Sequence, residues 1–193
     1  LGTAEESDYL EFGLFKGYSF WHAQKVARRL DVKGIRFFGF DSFSGLPAVE
    51  GVDETDEHVF YEGQYACSKE DVVRNLDSKG VDWDHTFLIE VYYEDSLKDS
   101  VRADYKLRPI SIALIDCDLY ESTQQVLAFI EPLVADGTIL MMDDWNCYDA
   151  DPKKGQQLAM SEFLKRNERW RLEDFFPYGA WSQVFIIREN QIN

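Results

Sequence analysis

The sequence predicts an α/β protein built on a mostly parallel sheet that closes with an antiparallel hairpin. Two observations carry this reading. Short apolar runs of strand length alternate with segments of helical periodicity along most of the chain, as in a sheet wound from βαβ units. The end of the chain breaks that alternation. There, two strand-like runs flank a loop containing Pro177 and Gly179, the pattern of a hairpin.

The elements follow in order. Residues 9–12 read as a first strand. Residues 19–30 read as a helix, because Phe20, Ala23, Val26, Ala27 and Leu30 recur at helical spacing. Residues 35–40 form a second strand with both faces apolar, and 86–91 a third. Residues 110–115 are a fourth strand, followed by a helix over 123–133. Residues 138–142 are a fifth, followed by a helix over 156–166 with Leu158, Ala159, Phe163 and Leu164 facing inward. Strands over 170–175 and 182–187 complete the set. Residues 42–68 lack periodicity and hold Gly45, Pro47, Gly51, Gly63 and an acidic cluster at 50–57. A loop of that length inside a compact domain usually serves function. A short helix over 71–76 follows it.

The 193 residues fit one domain, 1–193, large enough for a hydrophobic core. The formal net charge of −16 repels nucleic-acid backbones and anionic lipid, so neither is expected as a partner. A neutral or cationic small molecule, or a metal ion, suits the field better. Cys67, Cys117 and Cys147 are odd in number and widely spaced, which fits free thiols in a reducing cytoplasm rather than a disulfide scaffold or zinc ribbon. No apolar run reaches the length of a membrane span, and no signal peptide is apparent, so a cytoplasmic location is expected.

In an open α/β sheet, ligands bind beyond the carboxyl ends of the strands. After the first strand the chain reads Glu11, Gly13, Gly17, Ser19, where glycines allow close backbone approach to a ligand ahead of a helix N-terminus. The spacing is neither GxGxxG nor a P-loop. After the second strand comes Asp41, placed as an acid that accepts from both hydroxyls of a ribose. A turn or cap role suits it as well. After the fourth and fifth strands come Asp116 and Asp118, then Asp143 and Asp144. Neighbouring strands would gather these carboxylates at one edge, where a hard divalent cation relieves their repulsion. Asp118 is the member best suited to a purely structural role. His22 and His85 read as structural, whereas His58 lies in the long loop where it could face a substrate.

Four segments together resemble a known family. Tyr-Leu-Glu-Phe-Gly-Leu-Phe-Lys-Gly-Tyr-Ser (9–19) is similar to the first motif of class I S-adenosylmethionine (SAM) methyltransferases. Phe-Gly-Phe-Asp-Ser-Phe-Ser-Gly-Leu-Pro (38–47), Ile-Asp-Cys-Asp-Leu-Tyr-Glu-Ser-Thr (115–123) and Asp-Asp-Trp (143–145) resemble the macrocin O-methyltransferase (TylF-like) family, which methylates sugar hydroxyls of natural products. Residues 61–65 and the following helix share the resemblance. It implies a Rossmann-like class I methyltransferase fold, with a seven-stranded sheet, helices on both faces and a C-terminal antiparallel hairpin.

The resemblance also implies SAM, with S-adenosylhomocysteine as product, and usually Mg²⁺. Glu11, Gly13 and Gly17 would line the methionine part of SAM, with Ser19 beside them. Asp41 would hold the ribose, with Ser42 adjacent, and Asp95 and Ser96 would sit near the adenine. Asp116, Asp143 and Asp144 would be the metal ligands. Catechol O-methyltransferases share those three positions and carry a lysine three residues after the first, where this chain has Leu119. The family usually has a longer N-terminal segment over the active site. Here eight residues precede the first strand, leaving the cover to residues 44–66 and 145–155 or to sequence upstream.

The expected reaction is transfer of the SAM methyl group to a hydroxyl of a sugar or sugar-bearing natural product. Asp116, or else His58, would take the proton, and an acceptor diol would suit a metal. Tyr61, Tyr65, Trp145, Tyr148, Tyr178 and Trp181 are candidates for an acceptor wall. A homodimer is compatible with the resemblance. A catechol-type methyltransferase, a carboxylate-metal hydrolase and a non-catalytic SAM-binding module are the alternatives.

Overall fold

The computed structural model describes residues 7–55, 59–93 and 97–191. Seven strands form one sheet in the order β3-β2-β1-β4-β5-β7-β6. β1 (Asp8–Phe12) lies near the middle, and all five of its residues are buried. A strand covered on both faces needs near-continuous apolar sequence, and Tyr9, Leu10 and Phe12 supply it. β2 (Arg36–Asp41) and β3 (Thr86–Glu90) extend the sheet on one side. β4 (Ile110–Ile115) and β5 (Ile139–Met142) extend it on the other. These five strands are parallel. β6 (Trp170–Pro177) and β7 (Gln183–Glu189) pair antiparallel, and β7 inserts antiparallel between β5 and β6.

Helices cover both faces. On one face α1 (Tyr18–Arg29) and α2 (Lys69–Ser78) deliver Phe20, Val72 and Leu76 onto Tyr9, Phe37 and Leu114. α1 ends on Arg28 and Arg29, which complement its dipole. α2 starts at Ser68, whose Oγ accepts from Asp71 N at 3.2 Å. On the other face α4 (Tyr120–Ile130) and α5 (Gly155–Arg166) pack Val126, Phe129, Met160 and Phe163 onto Phe12, Phe40, Ile115 and Leu140. α3 (Asp99–Asp104) adds Val101 to that core.

All seven strands occur where the sequence places them. The helix expected over 123–133 starts earlier, at Tyr120, and ends at Ile130. Pro132, which has no N–H to donate, converts its end into a 3₁₀ turn over Glu131–Leu133. Helix α3 escapes a periodicity reading because six residues give too few inward positions to form a pattern. Among the described residues, no helix is long and apolar enough to cross a membrane.

The deepest packing is aromatic. The rings of Phe12 and Phe40 stack at 4.8 Å, and Phe129 meets both edge-on. Phe40→Ala opens a cavity at that junction and is expected to cost roughly 3–5 kcal/mol. A urea titration reads this as a lowered midpoint with little change in slope.

Candidate active site

The parallel register sets the site. Phe12 pairs with Phe40 and Ile115, and Ile115 with Met142, so these strands end at one level. Backbone bonds continue past the ends. Gly13 N donates to Phe40 O at 2.9 Å, Asp116 N to Phe12 O at 2.9 Å and Asp143 N to Ile115 O at 3.0 Å. Gly13, Asp41, Asp116 and Asp143 therefore stand side by side along the sheet edge. They line a cavity of about 370 Å³, within the range of small-molecule sites.

The glycine turn is fixed by contact. Gly13 has φ 91°, and a Cβ there would lie 1.8 Å from the carbonyl oxygen of Asp116. Gly17 has φ 75° and precedes α1, with Leu76 and Val72 against it. Gly13 lines the cavity; Gly17 is a packing and turn residue.

Glu11 is completely buried. Its two oxygens accept from Tyr9 Oη at 2.5 Å and Ser19 Oγ at 2.6 Å. Burial raises its pKa to about 7, against the lowering effect of those two hydroxyls. Ser19 thus serves Glu11.

Asp41 lines the cavity, but much of its carboxylate is already engaged. Oδ2 accepts from Leu14 N at 2.6 Å and Phe15 N at 3.2 Å, and Oδ1 from Phe43 N at 2.7 Å. A carboxylate has about four acceptor positions, so one is left for a ligand hydroxyl. The turn role and the ligand role of Asp41 are compatible. Ser42 Oγ accepts from Ser44 N and donates to Gly45 O.

The carboxylates beyond β4 and β5 meet. One oxygen each of Asp116, Asp118 and Asp144 lie within 4.8 Å of one another. Burial raises all three pKa values well above the usual range. Mutual repulsion with neighbouring carboxylates adds to it: Asp144 is the largest such contribution at Asp116, Asp116 at Asp118, and Asp118 at Asp144. Asp144 is held firmly. Oδ2 accepts from Asp118 N at 3.0 Å, and Gln156 Oε1 accepts from Asp144 N at 3.1 Å while Gln156 Nε2 donates to Ile115 O at 2.9 Å. Such a buried, all-oxygen set fits a hard divalent cation.

The membership differs from the trio the family resemblance implies. Asp118, singled out as structural, belongs to the tight group, because its left-handed backbone (φ 60°) turns it into the cavity. Asp143 lines the same cavity but accepts from Ser182 Oγ at 3.1 Å. His58, Asp95 and Ser96 lie outside the described residues.

The aromatic candidates divide. Tyr65 lines the cavity edge-on to Phe15, with ring centroids 5.7 Å apart. Tyr61 and Trp181 are exposed, and the hydroxyl of half-buried Tyr178 is raised in pKa by burial and by Asp143. Trp145 packs on Phe185 at 4.6 Å and belongs to the core. Tyr148 packs on Phe60. Phe15, Val91, Tyr92 and Tyr93 line the cavity without having been singled out in the sequence. Their positions just past β1 and β3 were the available signal.

Glu11 gives the site a measurable pH signature. A raised carboxyl pKa means the folded state holds the proton more tightly than the unfolded chain. The stability from this group is full below about pH 4.5 and is lost as pH rises through about 7, a change of roughly 3 kcal/mol. Glu11→Gln is neutral throughout. Its urea midpoint relative to the native protein is therefore expected to rise between pH 5.5 and 8. A constant offset would show Glu11 ionised across that range.

Comparison with known proteins fits this geometry. A family model described as macrocin-O-methyltransferase (TylF) matches residues 4–168. The chain is 27% identical over 157 residues to an 8-demethyl-8-(2,3-dimethoxy-alpha-L-rhamnosyl)-tetracenomycin-C 4'-O-methyltransferase of Streptomyces olivaceus, covering 78% of this chain and 58% of that protein. It is 24% identical over 149 residues to a demethyldecarbamoylnovobiocin O-methyltransferase of Streptomyces niveus, covering 75% and 55%. It thus spans little more than half the length of these relatives. The structure of the O-methyltransferase NovP superimposes with a TM-score of 0.76 at 22% identity, covering 98% of this chain and 74% of that one. CalS11, a calicheamicin methyltransferase, gives 0.72 at 24% identity, covering 93% and 72%. The strand order and these superpositions define the Rossmann-like class I methyltransferase fold, and the match over residues 4–168 places the chain in the macrocin O-methyltransferase family.

Proposed function

We propose that this chain carries the catalytic site of a SAM-dependent O-methyltransferase that methylates a hydroxyl of a sugar or sugar-bearing small molecule. The single observation that carries this is the adjacency of the glycine turn and the carboxylate group. Gly13 lies against the backbone of Asp116, in one cavity lined also by Asp41, Asp118 and Asp144. A metal-dependent hydrolase would need the carboxylates but not a glycine cradle beside an acid at the tip of β2.

Bound SAM supplies an electrophilic methyl group on its sulfonium, and a divalent cation at the carboxylates would supply Lewis acidity. The chain's own residues do the rest. Gly13 lets the turn close onto the Asp116 carbonyl and offers backbone to the cofactor where it lines the cavity. The free acceptor position on Asp41 takes a ribose hydroxyl. Phe15, Tyr65 and Tyr92 form apolar cavity walls that exclude water and restrict the acceptor's approach. An oxygen of Asp116 accepts the proton leaving the acceptor hydroxyl.

Asp116 and Asp144 are common to the set seen in the structure and the set the resemblance implies, so we assign both to the cation. Asp118 is the third ligand by geometry, and Asp143 by resemblance. Mg²⁺ is the ion best matched to so small a set of oxygens. The acceptor is a small molecule, with a sugar diol as the favoured class. The names of the matched relatives support this: one carries a rhamnosyl group on its substrate, the other acts on a novobiocin precursor.

Calorimetric titration with S-adenosylhomocysteine tests the cofactor site. Micromolar or tighter binding is expected, weakened at least roughly tenfold in Asp41→Ala, equivalent to about 1.4 kcal/mol. No binding to the native protein would overturn the reading. Mn²⁺ titration followed by electron paramagnetic resonance tests the cation site. Asp144→Asn should abolish binding. Loss in Asp118→Asn but not in Asp143→Asn assigns the third ligand to Asp118, and the reverse pattern assigns it to Asp143.

A further inference from the structure

Helices α4 and α5 start without caps of their own. The residues before them are Leu119 and Lys154, and neither provides a side-chain hydrogen bond to its helix. First-turn N–H groups are costly when buried without a partner. Both helices obtain their cap from elsewhere in the chain. Asp53, in the long loop between β2 and α2, is 3% exposed. Its Oδ2 accepts from Tyr120 N at 2.5 Å and its Oδ1 from Gly155 N at 3.1 Å. Tyr120 and Gly155 are the first residues of α4 and α5, so one carboxylate sits at the positive ends of two helix dipoles.

The same point restrains an unfavourable piece of backbone. Tyr148, Asp149 and Ala150 have φ of 57°, 54° and 58°, three consecutive non-glycine residues in the left-handed region. Side-chain crowding makes such a run unfavourable for L-residues. It follows directly on the segment carrying Asp143 and Asp144. Neighbours pack it in place. The Tyr148 ring meets Phe60 at 5.7 Å and lies over Gly155, where a Cβ would approach it to 3.0 Å. Lys154 Nζ stands 5.6 Å from the same ring centroid and 3.4 Å from Glu54 O.

The loop anchored by Asp53 also reaches the cavity. Leu46 and Gly63 close it on itself, through Leu46 N to Gln64 O and Gly63 N to Leu46 O, both 2.9 Å. This presents Gly45, Leu46, Pro47 and Tyr65 to the ligand. Three chain segments around the site, from β2, β4 and β5, are therefore joined at one carboxylate.

We propose that Asp53 is a positioning residue of the methyl-transfer site, clamping the cavity-lining loop and the left-handed turn at 148–150 to the starts of α4 and α5. It touches neither substrate nor cofactor. The proposal rests on the reading of the cavity as a cofactor site, and it deepens that reading by naming what holds the cavity's loop walls in register.

Hydrogen exchange followed by mass spectrometry, paired with S-adenosylhomocysteine calorimetry, tests it on the whole chain. In Asp53→Ala, amides in 44–55 and 145–156 should exchange at least roughly tenfold faster, while those in β1, β2 and β4 change less than about twofold. Affinity for S-adenosylhomocysteine should fall roughly fivefold or more, because Leu46, Pro47 and Tyr65 lose their fixed places. Asp53→Asn keeps the shape and one acceptor, so it should fall between the native protein and Asp53→Ala in both readouts; it replaces Asp53→Ala if that variant does not fold. Unchanged exchange, or a rise shared equally by the strands, overturns the clamp. Faster exchange with unaltered affinity makes Asp53 a helix cap only and overturns its positioning role. If the native protein does not bind S-adenosylhomocysteine, the cofactor reading fails, and the exchange pattern still decides whether the clamp exists.

Discussion

The backbone ladder that runs past the ends of β1, β2, β4 and β5 is the constraint on which the site depends. Each strand hands its next residue to its neighbour: Gly13 to Phe40, Asp116 to Phe12, Asp143 to Ile115. A side chain at residue 13 would have to occupy the place of the Asp116 carbonyl. That one contact therefore couples the glycine turn to the carboxylate group. Any shift in register between β1 and β4 would separate the two, because successive side chains point to opposite faces of a sheet.

Buried carboxylates in a chain of net charge −16 require an explanation, and donor count divides them into two kinds. Glu11 receives two hydroxyls and Asp41 three backbone N–H groups. These donors fix both carboxylates and, at Asp41, hold a turn in place with one acceptor position left over. Asp53 belongs with them. Asp116 and Asp118 differ: among the described residues, neither side chain receives a hydrogen bond, although both are largely desolvated and close to Asp144. Burying such a group unpaired is expensive. In the ion-free state protonation lowers the cost, which is the direction in which all three pKa values move. A cation would lower it by a different route. Donors from the chain fix the orientation of Asp41 and Asp144, whereas the side chains of Asp116 and Asp118 are left to whatever reaches the cavity.

What the sequence revealed follows the same division between local and non-local causes. Strand positions are legible because both-face burial writes apolar runs directly into the chain. The acids after β2, β4 and β5 are legible because they follow those runs at once. Asp118 is set apart from the other acids at that level, yet one of its oxygens lies within 4.8 Å of those of Asp116 and Asp144. Its inward direction depends on a left-handed backbone angle, which no spacing rule reveals for an aspartate. Asp53 is illegible for a stronger reason. Its partners, Tyr120 and Gly155, are 67 and 102 residues away. The only hint in the sequence is negative: Leu119 and Lys154 stand where helices α4 and α5 would ordinarily carry a capping side chain. Trp145 is another non-local case: an aromatic beside two acids in the sequence, it packs half-buried against the core because Phe185 of β7 lies against it.

The antiparallel insertion of β7 also has a functional consequence. A parallel strand delivers the residues after it to the ligand edge, and an antiparallel strand delivers the residues before it. Gln183 at the start of β7 pairs with Met142 at the end of β5. The loop over 178–182 is thereby brought to the edge where Asp143 and Asp144 begin. Ser182 Oγ reaches Asp143, Asn146 N donates to Trp181 O at 2.7 Å, and the Tyr178 hydroxyl lies in the field of Asp143. The exposed Trp181 stands beyond them, on the far side of the carboxylates from Asp41 and the glycine turn. The final hairpin thus brings to this edge the residues that precede a strand, whereas a further parallel βα unit would bring the residues that follow one. The glycine turn beside the tips of β1 and β2, the carboxylates over β4 and β5 and the loop before β7 run in one direction across the sheet. That order sets the 178–182 loop on one side of the carboxylates and the glycine turn on the other, so the end of the chain reaches this edge without touching the turn after β1.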